Sequence, residues 1–153
     1  MIDSRTFELC FKPIDKQTLE LLIGWHHDAE LHRRVDFPTE EWLGYVTDTA
    51  GVFAYTVWEG AICVAQVQMD VEDATGSILM AVNPALRGRG YCKRVLEAFI
   101  HHHATECLTT LVAYIEPDNE ASIRCFASAG FLTQPTDADG FTLMTYQLSK
   151  AGS

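Results

Sequence analysis

Positive charge is scarce in this chain: Lys and Arg total 11 against 21 Asp and Glu, a net charge of -10 over 153 residues. That balance excludes a general nucleic-acid binder, whose phosphate contacts need a basic face. It suits a cationic or amine-bearing partner. Long apolar runs are also missing. None approaches the roughly 20 residues of a membrane helix, and the opening MIDSRTFELCFKPID has no signal-peptide core, so no membrane association and a cytoplasmic location are expected. The five cysteines, Cys10, Cys63, Cys92, Cys107 and Cys125, include no C-x-x-C pair. A zinc knuckle or redox dithiol is therefore not expected, and the set reads as small buried apolar side chains in a reducing cytosol. His101-His102-His103 is no metal site on a helix, because adjacent helical residues point about 100° apart. Imidazoles at a helix C-terminus, interacting with its dipole, are the better reading. No metal is expected.

What is present is the pattern of one folded domain. Hydrophobic residues make up 48% and charged residues 21%, enough to bury a core. No repeat and no composition break marks a linker, so residues 1–153 are expected to form a single domain. Phe7, Leu9 and Phe11 alternate in a strand over 6–14, and Asp15 then caps a helix carrying Leu19, Leu22, Ile23 and His26. Thr39 caps a second helix with Glu40 and Glu41 in its first turn. Residues 52–58 and 61–71 form a hairpin about Glu59-Gly60, and 77–82 is an apolar strand stopped by Asn83-Pro84. A helix runs from Tyr91 to about Glu106. A strand over 109–115, a short helix over 120–129, a short strand over 131–133 and a last strand over 141–148 complete the expected order β-α-α-β-β-β-α-β-α-β-β.

The most informative stretch runs from Ile78 to Arg94. An apolar strand enters a loop with Gly88 and Gly90, and the loop enters a helix. Glycines let a backbone turn tightly and bring amides close to a ligand. A helix N-terminus adds unpaired N–H groups and partial positive charge, which together favour an anion. Arg87, Arg89, Lys93 and Arg94 concentrate basic charge here in an acidic protein. Basic residues at a helix start oppose its dipole, so an anion such as a phosphate or pyrophosphate is the economical explanation. The stretch lacks G-x-x-x-x-G-K-[ST], which excludes a Walker loop. It has only Gly88-x-Gly90 of a dinucleotide fingerprint and follows antiparallel strands.

Arg87-Gly88-Arg89-Gly90-Tyr91-Cys92 resembles the R/Q-x-x-G-x-G/A acyl-CoA pyrophosphate loop of the GNAT family of N-acetyltransferases. Asn119-Glu120-Ala121-Ser122-Ile123-Arg124-Cys125-Phe126-Ala127-Ser128-Ala129-Gly130-Phe131 resembles that family's N-x-x-S-I-R-L-Y-x-x-x-G-F motif. The two lie in the family's order, each between a strand and a helix. Phe11-Lys12-Pro13-Ile14, followed by a helix with Trp25 and Asp28, looks like the branch that includes ribosomal-protein N-terminal acetyltransferases.

The resemblance implies an α/β fold with a mixed, mostly antiparallel sheet of about six to seven strands and about four flanking helices, splayed between strands 77–82 and 109–115. It implies acetyl-CoA as co-substrate in that splay. Backbone groups of Met80, Ala81 and Val82 would pair with the pantetheine arm, and amides of Arg87, Gly88, Arg89, Gly90, Tyr91 and Cys92 would hold the pyrophosphate. Asn119 and Ser122 would lie on the cofactor, with Phe126 near the thioester sulfur. Cys92 replaces the usual final Gly or Ala. Phe126 replaces a tyrosine that protonates the departing thiolate, and phenylalanine donates no proton, so Tyr114 or Tyr91 is the alternative acid. Glu116, ending its strand, is the candidate base; Asp70, Glu72 or an ordered water are alternatives. The implied activity is acetyl transfer from acetyl-CoA to a primary amine, either a small amine or a protein N-terminus. The alternative is an acyl-CoA-binding regulatory or catalytically degenerate domain. The resemblance also allows a homodimer.

Overall fold

The computed structural model describes residues 8–148, with the backbone alone for 136–138. Phe7 and the expected start of the first strand lie outside the described residues. Seven strands form one sheet in the order β1-β2-β3-β4-β5-β7-β6. The chain divides into two compact units, and β3, β4 and α4 pass from one into the other. Among the described residues no helix is long and apolar enough to cross a membrane.

The first unit comprises residues up to Gln68 and Met80–Tyr91. It contains β1 (Leu9–Pro13), α1 (Lys16–Trp25), α2 (Ala29–Arg34), α3 (Glu40–Asp48), β2 (Val52–Glu59), most of β3 (Ile62–Glu72) and the end of β4 (Thr75–Val82). Edge strand β1 pairs antiparallel with β2, with Phe11 opposite Val57. Its Pro13 is tolerated because an edge strand needs no donor on its outer side. Asp15 and Thr18 form a reciprocal capping box at α1, Asp28 caps α2 and Thr39 caps α3. Leu22, Trp25, Leu31, Val46, Ala54, Cys63 and Ala81 bury together in one cluster, and Trp42 packs against it while its ring N–H donates to the Gln68 side-chain Oε1.

Helix α2 departs from the expected order. Six residues are too short for an amphipathic period to show. Its cap, Asp28, and its basic last turn, His32-Arg33-Arg34, are what define it.

The second unit comprises Met69–Leu79 and the chain from Cys92 onward. It holds nearly all of α4 (Tyr91–Ile100), then β5 (Thr110–Ile115), α5 (Glu120–Ser128), β6 (Leu132–Ala138) and β7 (Phe141–Gln147). The crossover through α4 makes β5 parallel to β4, whereas β5–β7 and β6–β7 are antiparallel. The β4–β5 ladder holds for three pairs only, Thr75 to Ser77 against Thr110 to Val112. It stops where the sheet was expected to splay. Val95, Leu96, Phe99, Leu111 and Met144 are fully buried.

Helix α4 ends at Ile100, not near Glu106. Thr105 Oγ1 donates to the Ile100 carbonyl, and the His102 ring nitrogen Nδ1 accepts from Ala104 N at 3.1 Å, capping a 3₁₀ turn over His103–Thr105. The histidine run therefore closes one helix and caps a turn. His102 also stacks on Phe99.

The cysteines need a larger correction. Cys92 and Cys125 form a disulfide between α4 and α5, their Cα atoms 6.0 Å apart. Of the remaining three, Cys10 and Cys107 are exposed and only Cys63 is buried. Burial pushes the Cys63 thiol up to about 11. A separation of 33 residues in sequence carries no sign of this proximity.

Candidate active site

The first unit supplies the glycine-basic loop. Asn83 sets where it begins. Its backbone N–H donates to Val64 O, its side-chain Nδ2 donates to Cys63 O at 3.0 Å, and its Oδ1 accepts from Ala85 N at 3.0 Å. These bonds fix the end of β4 to β3 and start the 3₁₀ turn Pro84–Leu86. Ahead of that anchor, Ala81 is buried and Met80 and Val82 are half-buried.

Gly88 and Gly90 have φ of +75° and +81°, and a Cβ built on either would meet no atom within 4 Å. The conformation demands glycine, and the space beside it is open. Helix α4 follows directly. The four other α-helices each begin on a side-chain cap, Asp15, Asp28, Thr39 or Asn119. Gly90, immediately before α4, has no side chain to cap it, and the first turn carries Lys93 and Arg94 instead of acids. The positive end of the helix dipole and the exposed Arg89 and Lys93 both favour an anion.

Two loop residues are engaged within the same unit. Arg87 grips Asp28 with both terminal nitrogens, Nη1 to Oδ1 at 3.0 Å and Nη2 to Oδ2 at 2.6 Å. The Arg87 guanidinium, with the Leu31 N–H behind it, holds the Asp28 carboxyl below the usual carboxylate range. The Tyr91 hydroxyl donates to Glu59 Oε1 at 2.5 Å. Arg87 is thus ion-paired rather than a free phosphate counter-charge. Sequence reasoning did not find Asp28 and Glu59 as partners of the loop. Asp28 carries a helix-cap signal, but its contact with Arg87 spans 59 residues.

The second unit holds the other candidate residues. Asn119 caps α5, its Oδ1 accepting from Ser122 N at 3.3 Å. Ser122 is half-buried. Phe126, only 3% exposed, packs edge-on against Phe131. Cys92 is tied to Cys125, the residue before Phe126. Tyr114, at 51% exposure, stands out on β5, and half-buried Glu116 follows the strand, its carbonyl accepting from Asn119 N. Among the described residues no three His, Cys, Asp or Glu side chains gather to hold a metal.

A mixed sheet whose central parallel crossover runs through a glycine loop into α4 defines an α/β protein. The model of the acetyltransferase (GNAT) family matches residues 13–131, and the chain belongs to that family. It is 28% identical to the uncharacterized N-acetyltransferase YfmK of Bacillus subtilis (strain 168) over 135 residues, which covers 86% of this chain and 91% of that protein. Solved structures share the fold. AAC(6')-Ib, in complex with paromomycin and acetyl-CoA, superposes with a TM-score of 0.78 at 17% identity, covering 92% of this chain and 93% of the other. Spermidine N-acetyltransferase from Vibrio cholerae, in complex with CoA and spermine, also gives 0.78, at 10% identity over 94% and 97% of the two chains.

Proposed function

We propose that this protein transfers acetyl from acetyl-CoA to a primary amine by direct attack. The observation that carries this reading is the loop 87–91 with its two glycines at positive φ, open space beside them and a helix start beyond whose first turn is basic and holds no acid. A pyrophosphate fits that arrangement by charge, and the open space beside both glycines leaves its approach to the backbone clear. Backbone groups of Met80, Ala81 and Val82 pair with the pantetheine arm. Asn119 and Ser122 bind the same cofactor, and Phe126 lines the apolar wall near its sulfur.

The acceptor is a small cationic amine. The net charge of -10 supports this, as does the amine chemistry of the similar folds, one solved with paromomycin and one with spermine. A protein N-terminus, the substrate class of the ribosomal-protein branch, is the second acceptor for the screen. A homodimer is the proposed assembly, and sedimentation tests it.

In the reaction the amine nitrogen forms a bond to the thioester carbonyl carbon, and the carbon–sulfur bond breaks. Glu116 takes the ammonium proton, directly or through water, and Tyr114 returns a proton to the thiolate. A CoA thiolate is a tolerable leaving group, its thiol pKa being about 8–9, so orientation supplies much of the rate. Phe126 supports one competing reading, a domain that binds acyl-CoA without turnover.

Calorimetry of acetyl-CoA with wild type and Gly88→Asp is the first test. Micromolar binding, lost in a folded variant, supports the site; no binding by folded wild type sinks it. Thiol release with a panel of amines follows, and binding without turnover for every amine selects the regulatory reading.

A further inference from the structure

The loop 87–91 combines two properties that oppose each other. Its two glycines leave open space, and glycine loses more backbone freedom on ordering than any other residue. A loop that waits in many conformations binds its ligand weakly, because binding must then supply the ordering. Both ends of this loop are nevertheless held. Arg87 precedes Gly88 and is locked to the Asp28 carboxylate by two parallel charge-assisted bonds. Tyr91 follows Gly90 and is locked to Glu59. Neither carboxylate belongs to the loop or to its helix: Asp28 starts α2, and Glu59 ends β2.

We propose that Asp28 is a positioning residue that holds the pyrophosphate loop in its ligand-ready conformation through Arg87, with Glu59 bracing the other end through Tyr91. This rests on the reading of loop 87–91 as the acetyl-CoA site. Asp28 performs two separable tasks, since Oδ2 also accepts from Leu31 N at 3.0 Å to cap α2. Arg87 in turn neutralises a carboxylate that would otherwise repel an incoming phosphate. The geometry is bidentate, so a lysine at position 87 keeps the charge and loses the fork.

Asp28→Asn separates the tasks, because asparagine is an equally good N-cap but carries no charge. The full-length protein is titrated with acetyl-CoA and with S-acetylpantetheine, which lacks the pyrophosphate. Asp28→Asn and Arg87→Lys are each expected to weaken acetyl-CoA about 5–10-fold, the range of a well-made, partly exposed charged pair. S-acetylpantetheine binding is expected to stay at the wild-type value. Arg87→Gln is expected to weaken acetyl-CoA more in the wild-type background than alongside Asp28→Asn, because only the first leaves an unpaired carboxylate.

Wild-type acetyl-CoA affinity in folded Asp28→Asn overturns the proposal and leaves the site reading intact. Equal losses for both thioesters also overturn it, because they indicate general damage. If Asp28→Asn does not fold, Arg87→Lys takes its place: a loss confined to acetyl-CoA supports the proposal, and unchanged affinity or equal losses overturn it. Failure of wild type to bind acetyl-CoA refutes the site reading itself, and the proposal falls with it.

Discussion

Removing the covalent link between Cys92 and Cys125 has a calculable effect on stability. The two cysteines are 33 residues apart in sequence. Loop-closure entropy for a crosslink of that span is about 12.5 cal/mol/K, or about 3.7 kcal/mol at 25 °C. A chain of this length shifts its melting point by about 2–4 °C per kcal/mol, so reduction, or Cys92→Ser, is expected to lower Tm by about 7–15 °C. Thiol titration of protein purified without reductant supplies the independent count. Cys10 and Cys107 react in the native state because they are exposed, while Cys63 reacts only after unfolding. Three thiols are expected in denaturant, and five after reduction, matching the five cysteines of the sequence. Five thiols in unreduced protein, or a Tm indifferent to reductant, would refute the crosslink.

Further outcomes follow from packing and charge. Gly76→Ala places a Cβ 2.6 Å from Met69 Sδ and 2.9 Å from Leu108 Cδ1. Both side chains are buried, so urea unfolding should show a loss of about 1–3 kcal/mol from overpacking. Gly90→Ala meets no atom but must hold φ near +81°, so it should cost about 1–2 kcal/mol of backbone strain and raise KM for acetyl-CoA. Burial and then His32 depress the His26 pKa. That contribution to stability is full above about pH 6.5 and is lost as pH falls through the lower folded value. Chemical unfolding measured from pH 7.5 to 4.5 should show this limb reduced in His26→Asn; His102, also depressed by burial, retains its own. The Asp28 carboxyl, held down by Arg87, contributes above its ordinary pKa of 3.8 and loses that contribution as pH falls through the lower folded value. Melting curves between pH 6 and 2 should lose this acid limb in Asp28→Asn.

The sequence by itself determined the elements whose signals are local. The capping pairs at Asp15 and Thr39, the turn at Glu59-Gly60 and the strand, glycine loop and helix over 78–94 all lie within a few residues of their causes. Each was legible as a pattern of spacing and backbone preference. The same is true of Asn119 as a helix cap and of the apolar face of α4. Family membership was legible because two such local patterns occur in a fixed order.

Tertiary structure alone decided what depends on separation in space. The Arg87–Asp28 pair spans 59 residues and the Tyr91–Glu59 bond spans 32. The Cys92–Cys125 link joins two helices whose approach no periodicity records. The stop of α4 at Ile100 depends on Thr105 and His102 folding back on the helix end. Helix periodicity says which residues share a face. Side-chain bonds between distant segments form only after the chain has folded, so the sequence holds the partners without naming the pairs.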